Sequence, residues 1–397
     1  MPHLRKRYLL PLVQKTRKFS PIIGIFGHRQ VGKTTLAAEI VDQYVTLDDS
    51  VQLDEVLKDP KAFIRNSAIR PMVIDECQLA PPLFPALKEW VRTHPSPGQF
   101  LLTGSVRFSS RKAIRESLTG RIIAWELLPM NMGEAFNEPL SQAVIQLTQS
   151  PTVSIKLKPL KHLNAASFKQ YLQQGGLPGI FAIREPSIRA QRFETQINTL
   201  MERDLQLLTE TSLSYRTLRH LAETLAMQQG QPLELTSVSR QAQISVPTLR
   251  KLIAAFESMY FIRLVPTEGT EKRPVIFFED QGEATFLTDN RYTDLAQLTR
   301  FLFAQIRHQW VYRPELGAKL FQYRTRGGAY IPLCLRIQNQ VLGILPILTE
   351  TPETSALGSA RSFIKAYDHA KVIFVHPGKH DEVITPQLRA LPLAMCI

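Results

Sequence analysis

The chain has 397 residues, of which 44% are hydrophobic and 21% charged, and a net charge of +13. Its length suits roughly two to three domains of about 100 to 200 residues each, and no apolar run approaches the roughly 18 residues that a spanning helix needs, so a soluble protein with no membrane span is expected. The excess positive charge suits an anionic partner, nucleic acid ahead of an acidic membrane surface or an acidic protein, or it serves solubility alone. Cys77, Cys334 and Cys396 are widely spaced, with no C-x-x-C pair and no signal peptide ahead of them. A reduced, cytoplasmic setting is expected. Only His376 and His380 are four residues apart, and Pro377 and Gly378 between them break the helix that zinc pairing would need, so both are read as loop residues.

The first nineteen residues, MPHLRKRYLLPLVQKTRKF, carry six Lys or Arg and no acid. They lack the serine richness of a transit peptide and Pro11 limits any long helix, so residues 1–20 read as a basic helical lead-in. PIIGIF (21–26) has the length and composition of a strand, and TTLAAEIVDQY (34–44) has helical apolar spacing. Between them lies GHRQVGKT, a match to G-x-x-x-x-G-K-[ST] in the strand-loop-helix context that gives the pattern its meaning. By composition alone the match should arise in about one chain per hundred of this length.

In such a loop Gly27 and Gly32 let the backbone approach closely, so that N–H groups from His28, Arg29, Gln30, Val31 and Gly32 through Lys33, Thr34 and Thr35 point at phosphate oxygens. Lys33 would reach the β and γ phosphates, and the Thr34 hydroxyl would go to Mg²⁺. RPMVIDECQ (70–78) is an apolar run ending in two acids. A buried parallel strand would deliver Asp75 to the carboxyl edge of the sheet to hold Mg²⁺ through water, and Glu76 to orient and deprotonate the attacking water. QFLLTGS (99–105) ends in Thr103 and Ser105, small polar groups able to sense the γ phosphate or position the water. A helix over 109–120 capped by Gly120 and a strand over 121–128 continue the alternation. No N-K-x-D motif follows, so ATP is expected rather than GTP. Arg115 and Arg121 follow the sensing strand, and each is either a finger offered to a neighbouring subunit or a surface ion-pairing arginine.

GHRQVGKTTL, YVTLDD (44–49), VIDECQ, LLTGS, SLTGR and ELLPMNMGE (126–134), in this order, resemble the prokaryotic AAA-type ATPases followed by a conserved C-terminal region of unknown function. The likeness continues through YLQQGGLPGI (171–180), MERDLQLL (201–208) and FFEDQGEATFL (277–287), and so covers nearly the whole chain. His28 departs from it, since such proteins usually have proline there.

The resemblance implies an α/β chain: a P-loop parallel-sheet ATPase domain (21–135), a connector (136–165), a helical and winged-helix domain (166–268), and a degenerate restriction-nuclease-like α/β domain (269–397). Residues 136–165 carry three prolines and lose periodicity, as a connector would. LTSVSRQAQISVPTLRKLIAAFESMYFIRLVP (235–266) reads as helix, turn, helix and strand, with Thr248 and Arg250 outward and Leu249, Leu252 and Ile253 inward. That pattern serves either nucleic acid or protein packing. In the nuclease-like part Pro332 falls where the resemblance implies a metal-binding aspartate, and no Glu-x-Lys follows. Nuclease activity is not expected unless acids such as Glu315 supply a metal site from elsewhere. The expected cofactors are ATP and Mg. The candidate partners are DNA or RNA through the winged helix and the basic N-terminus, or a protein, or a second copy of the chain in a homo-oligomer, the oligomeric state being left open by the sequence.

Overall fold

Ile22–Gly27 forms strand β1, buried along its whole length. A strand covered on both faces belongs inside a parallel sheet, and β1 lies in one. The structure is a computed structural model describing residues 5–66, 71–107 and 117–397. β1 joins β2 (Gln43–Thr46), β3 (Met72–Asp75), β4 (Phe100–Gly104) and β5 (Ile122–Leu127) in the order β2-β3-β4-β1-β5. Every pairing is parallel. Because β4 inserts between β3 and β1, Gly27, Asp75 and Thr103 reach one carboxyl edge, the place where open α/β sheets bind ligands.

The helices around this sheet are α1 (Leu10–Thr16), α2 (Lys33–Ala38), α3 (Ser50–Lys58), α4 (Pro60–Asn66) and α5 (Leu83–Thr93). Phe84, Leu87 and Val91 of α5 share a buried core with Ile74 and Leu102 of the sheet. Pro11 sits in the first turn of α1, where its missing N–H is no loss.

The helix expected over 34–44 is shorter, because α2 ends at Ala38 and Tyr44 lies in the edge strand β2. Its apolar residues satisfy either period, and parallel pairing of Gln43–Thr46 with β3 decides for strand. Glu76 is not on the β3 strand. It takes the left-handed conformation, φ 53°, at the start of a short 3₁₀ turn (Cys77–Leu79). Gly120 has φ 76°, as a helix-ending residue would, whereas most of the expected 109–120 helix, Arg115 included, lies outside the described residues.

The chain divides into two compact units. The first holds residues 1–129, 177–179 and 258–261, and the second holds 130–176, 180–257 and 262–397. Arg107 secures residues 258–261 in the first: its N–H donates to the Ser258 carbonyl at 2.7 Å and its guanidinium lies 4.1 Å from the centre of the Tyr260 ring. Glu126 pairs with the same guanidinium at 3.1 Å.

The second unit contains β6 (Ile262–Val265), β7 (Thr267–Gly269), β8 (Val275–Phe278), β9 (Lys319–Arg324), β10 (Tyr330–Ile337), β11 (Gln340–Pro346), β12 (Ala370–His376), β13 (Glu382–Thr385) and β14 (Leu388–Pro392). Strands β6 and β8 form an antiparallel ribbon, and the others form a mixed sheet ordered β13-β14-β12-β11-β10-β9-β7. Helices Leu235–Ala242 and Val246–Ser258 precede the ribbon. Leu249, Leu252 and Ile253 are buried, while Arg250 and Lys251 are exposed. Two of the three downstream motifs, YLQQGGLPGI and FFEDQGEATFL, meet at Asp280. Its carboxylate accepts from Gly176 N–H at 2.5 Å and caps Gln281–Leu287 through Gly282 and Glu283 N–H. A Cβ on Gly175 would collide with that carboxylate, which explains the glycine at that position.

Residues 136–165 do not behave as a bare connector. They contain helix Ala143–Gln149 and place Val144, Ile145, Leu147, Val153 and Leu160 in the core of the second unit. Lys371, 1% exposed on β12, fastens them: its ammonium donates to the carbonyls of Thr148 at 3.0 Å and Ser150, and to Gln340 Oε1 at 3.0 Å. Burial lowers its pKa from the ordinary lysine value. His376 is also not a loop residue. It ends β12, fully buried, because the parallel run with β14 extends to the His376–Pro392 pair. Cys77, Cys334 and Cys396 are buried free thiols. No helix among the described residues is long and apolar enough to cross a membrane.

Lys371→Met removes the hydrogen bonds to Thr148, Ser150 and Gln340, the first of them buried, and should lower the unfolding free energy in urea by about 1–3 kcal/mol. An unchanged transition midpoint at unchanged slope would contradict this fastening role.

Candidate functional site

β1 delivers Gly27 against the end of β5, where a Cβ would collide with the Leu127 carbonyl oxygen, so no side chain fits. The chain then turns through His28, Arg29, Gln30 and Val31 to Gly32. Gln30 takes φ 60° and Gly32 φ 97°, a backbone that bends the loop around its own N–H groups. His28 is buried, with Nδ1 2.7 Å from the Arg29 carbonyl oxygen. Lys33, Thr34 and Thr35 open α2. The Lys33 side chain is buried and folds over the loop, donating to the carbonyls of Gly27 at 3.1 Å and His28 at 3.0 Å. Thr34 and Thr35 are exposed.

A carboxylate taken out of water must be hydrogen-bonded. Asp75, 5% exposed at the end of β3, is held by three hydroxyls from three elements. Thr34 of α2 donates at 2.9 Å, and Tyr44 of β2 and Thr103 of β4 donate as well. Burial, and then the bond to Asp75, raise the Tyr44 pKa above the ordinary tyrosine value, so its proton stays available as a donor. The Thr34 hydroxyl and the Asp75 carboxylate thus converge as hard oxygen ligands. Mg²⁺ takes one or two carboxylates with waters and phosphate oxygens, and this donor set fits it.

Beside Asp75, Gln78 Nε2 donates to Glu76 Oε2 at 2.5 Å and to Ser105 Oγ at 3.1 Å, and Ser105 Oγ lies 3.4 Å from the same Glu76 oxygen. Gly104 makes room for Gln78, since a Cβ there would approach Gln78 Oε1 to 2.6 Å. The left-handed Glu76 is a backbone that non-glycine residues adopt at a cost of order 1 kcal/mol and that recurs at functional sites.

The sheet edge therefore brings together the loop, Lys33, Thr34, Asp75, Glu76, Thr103 and Ser105. Arg121 is elsewhere. It precedes β5, which runs parallel to β1 with Ile122 opposite Ile22 and Leu127 opposite Gly27, so Arg121 lies at the opposite, amino edge. Six residues of strand separate it from that level, roughly 20 Å at about 3.3 Å per residue. Its guanidinium donates locally, to the Thr119 carbonyl at 3.3 Å. Among the described residues no group of three or more His, Cys, Asp or Glu is placed to hold a metal ion, and Glu315 lies exposed in a short turn.

Three residues of the site escape sequence reasoning. Tyr44 stands in YVTLDD but reads as the end of a helix, Gln78 ends VIDECQ without an evident role, and Arg7 lies within the basic lead-in. Arg7 is buried, with Nη1 donating to the Val31 carbonyl at 2.7 Å and Nη2 to the Leu128 carbonyl at 2.5 Å. No local pattern marks a residue whose partners lie 24 and 121 positions away.

Residues 19–136 match the model of an AAA domain family, and residues 165–293 match a domain of unknown function (DUF8612). Uncharacterized proteins of Mycobacterium tuberculosis and Mycobacterium bovis are each 25% identical over 400 aligned residues, covering 94% of this chain and 80% of their own. Among solved structures, the chain is similar to a Signal Transduction ATPase with Numerous Domains from Pyrococcus horikoshii at TM-score 0.27 and 15% identity, covering 77% of this chain and 46% of that one. It is also similar to the ORC2 protein of Aeropyrum pernix at TM-score 0.32 and 15% identity, covering 65% and 86% respectively. The chain spans about half the length of the first of these structures, and likenesses this weak fix neither activity nor partner. The family match and the geometry of the sheet edge agree on an AAA-type P-loop domain in the first third of the chain.

Proposed function

We propose that the protein is an ATPase that binds ATP with Mg²⁺ and hydrolyses it to drive or switch action on a nucleic acid. The observation that carries the reading is the convergence of Lys33, Thr34, Asp75 and Thr103 on one sheet edge beside a left-handed glycine loop. On binding, the Lys33 ammonium exchanges the Gly27 and His28 carbonyls for the β and γ phosphate oxygens, while loop N–H groups take the remaining oxygens. Thr34 and Asp75 would hold Mg²⁺, which neutralises charge on the phosphates. Glu76, kept beside Ser105 by Gln78, takes a proton from the attacking water, and Ser105 and Thr103 fix the position of the γ phosphate. Arg121 has a part in this only as a finger given to a neighbouring subunit of a homo-oligomer.

Nucleic acid is favoured as the target by Arg250 and Lys251, exposed side by side on Val246–Ser258 with Leu249 and Leu252 buried beneath them. Those helices and the β6–β8 ribbon have the order of a winged helix. The mixed sheet downstream is read as inert toward phosphodiesters, because Pro332 on β10 replaces the carboxylate the nuclease resemblance implies. In the alternative reading the chain is a nucleic-acid-binding or protein scaffold in which ATP turns over slowly. Steady-state turnover with and without DNA or RNA separates the two.

Lys33→Ala should weaken nucleotide binding, whereas Glu76→Gln should leave binding intact and slow turnover by about a hundredfold or more. Wild-type turnover in Glu76→Gln would remove Glu76 from the chemistry. Replacing Arg250 and Lys251 together by Ala should weaken binding to a short duplex in fluorescence anisotropy and reduce the log-log salt slope by about one unit for each phosphate no longer neutralised. An unaltered slope, or no duplex binding by wild type at micromolar protein, would favour a protein partner.

A further inference from the structure

The AAA match begins at residue 19, yet Arg7 reaches into the loop from outside it. Its guanidinium is a planar fork that spans two acceptors at once. One is the carbonyl of Val31, inside the phosphate loop, and the other is that of Leu128, just beyond the end of β5. The loop is thereby tied to the sheet at a second point. The first is Gly27, packed on the Leu127 carbonyl. Arg7 also lies next to Gly32, since a Cβ built there would sit 3.5 Å from its Nη1 and 3.7 Å from Pro178 Cγ. Pro178 belongs to the GGLPG motif, and residues 177–179 are grouped with the first unit.

The Val31–Gly32 peptide is planar and trans, so its C=O and N–H point to opposite sides. Holding the Val31 oxygen on Arg7 turns the Gly32 N–H away from Arg7. Gly32, at φ 97°, has the backbone freedom to turn the other way when that restraint is lost. The bond to Leu128 anchors the guanidinium whose other arm holds the Val31 oxygen, and in a buried setting both bonds are stronger than they would be in water.

We infer that Arg7 is a positioning residue for the phosphate loop, holding the Val31–Gly32 peptide so that the Gly32 N–H faces the triphosphate of ATP. This inference rests on the ATP-site reading above. Arg7 touches the loop backbone and acts on the nucleotide only through it. Its burial also removes it from the surface through which the basic lead-in is expected to meet nucleic acid.

The test compares wild type, Arg7→Ala and Arg7→Lys in the full chain, with folding checked by circular dichroism and thermal melting. KM for ATP and the Kd of a fluorescent ATP analogue in Mg²⁺ should rise about ten- to a hundredfold in Arg7→Ala, with kcat at saturation within about threefold of wild type. Arg7→Lys keeps the charge but reaches one carbonyl instead of two, so it should recover part of the affinity. Wild-type KM and Kd in a folded Arg7→Ala would overturn the proposal. If Arg7→Ala does not fold, Arg7→Lys decides, and wild-type KM and Kd in that variant would equally overturn it. A wild-type chain that neither binds nor hydrolyses ATP would overturn the ATP-site reading itself, an outcome distinct from a wild-type chain that works and an Arg7 variant that works as well.

Discussion

A carboxylate buried at the end of a strand is costly unless donors surround it, and the arrangement of the first unit follows from meeting that need at Asp75. The three hydroxyls that do so come from the start of α2, from β2 and from β4. They fix the helix against the sheet, set the edge strand in register with β3, and require β4 to lie beside β3. The same oxygens suit a hard cation, so the contacts that make the buried charge tolerable also assemble the part of the site proposed to hold Mg²⁺. Tyr44 carries the exposed side of this cage, and its raised pKa keeps it a donor.

The phosphate loop is legible in the sequence because its chemistry is local. Two glycines, a lysine and a threonine within eight residues, between a strand-length and a helix-like run, state their own geometry. Asp75, Thr103 and Ser105 are legible as strand ends, since a buried parallel strand has to stop at the edge where ligands bind. Tyr44 is not, because IVDQYV satisfies a helical period as well as a strand one, and only pairing with β3 separates them. Glu76 reads as a strand residue although the strand ends at Asp75, as no local rule marks a left-handed acid. Arg121 follows the sensing strand in sequence, but strand direction puts it on the far edge.

Downstream, composition misleads in one place. Prolines and weak periodicity over 136–165 suggest a passive connector, but a segment can lack period and still be buried by being strapped. Lys371 does this from β12, more than two hundred residues away, together with Gln309, which bonds Val144 N–H at 2.8 Å and the Cys396 carbonyl at 2.9 Å. The glycines of GGLPG and the acid of FFEDQG look like separate motifs and are two sides of one contact at Asp280. Both cases depend on pairs distant in sequence, where pattern reading has no purchase.

Everything proposed for the first unit depends on the sheet edge being a site for ATP with Mg²⁺. Isothermal titration of the 397-residue chain with ATP tests this most directly, in Mg²⁺ and then in EDTA. One ATP should bind per chain, with affinity that falls when Mg²⁺ is removed and a Mg²⁺ dependence that disappears in Asp75→Asn. Absence of binding at millimolar ATP by a folded wild-type chain, or binding indifferent to both Mg²⁺ and Asp75, would contradict it.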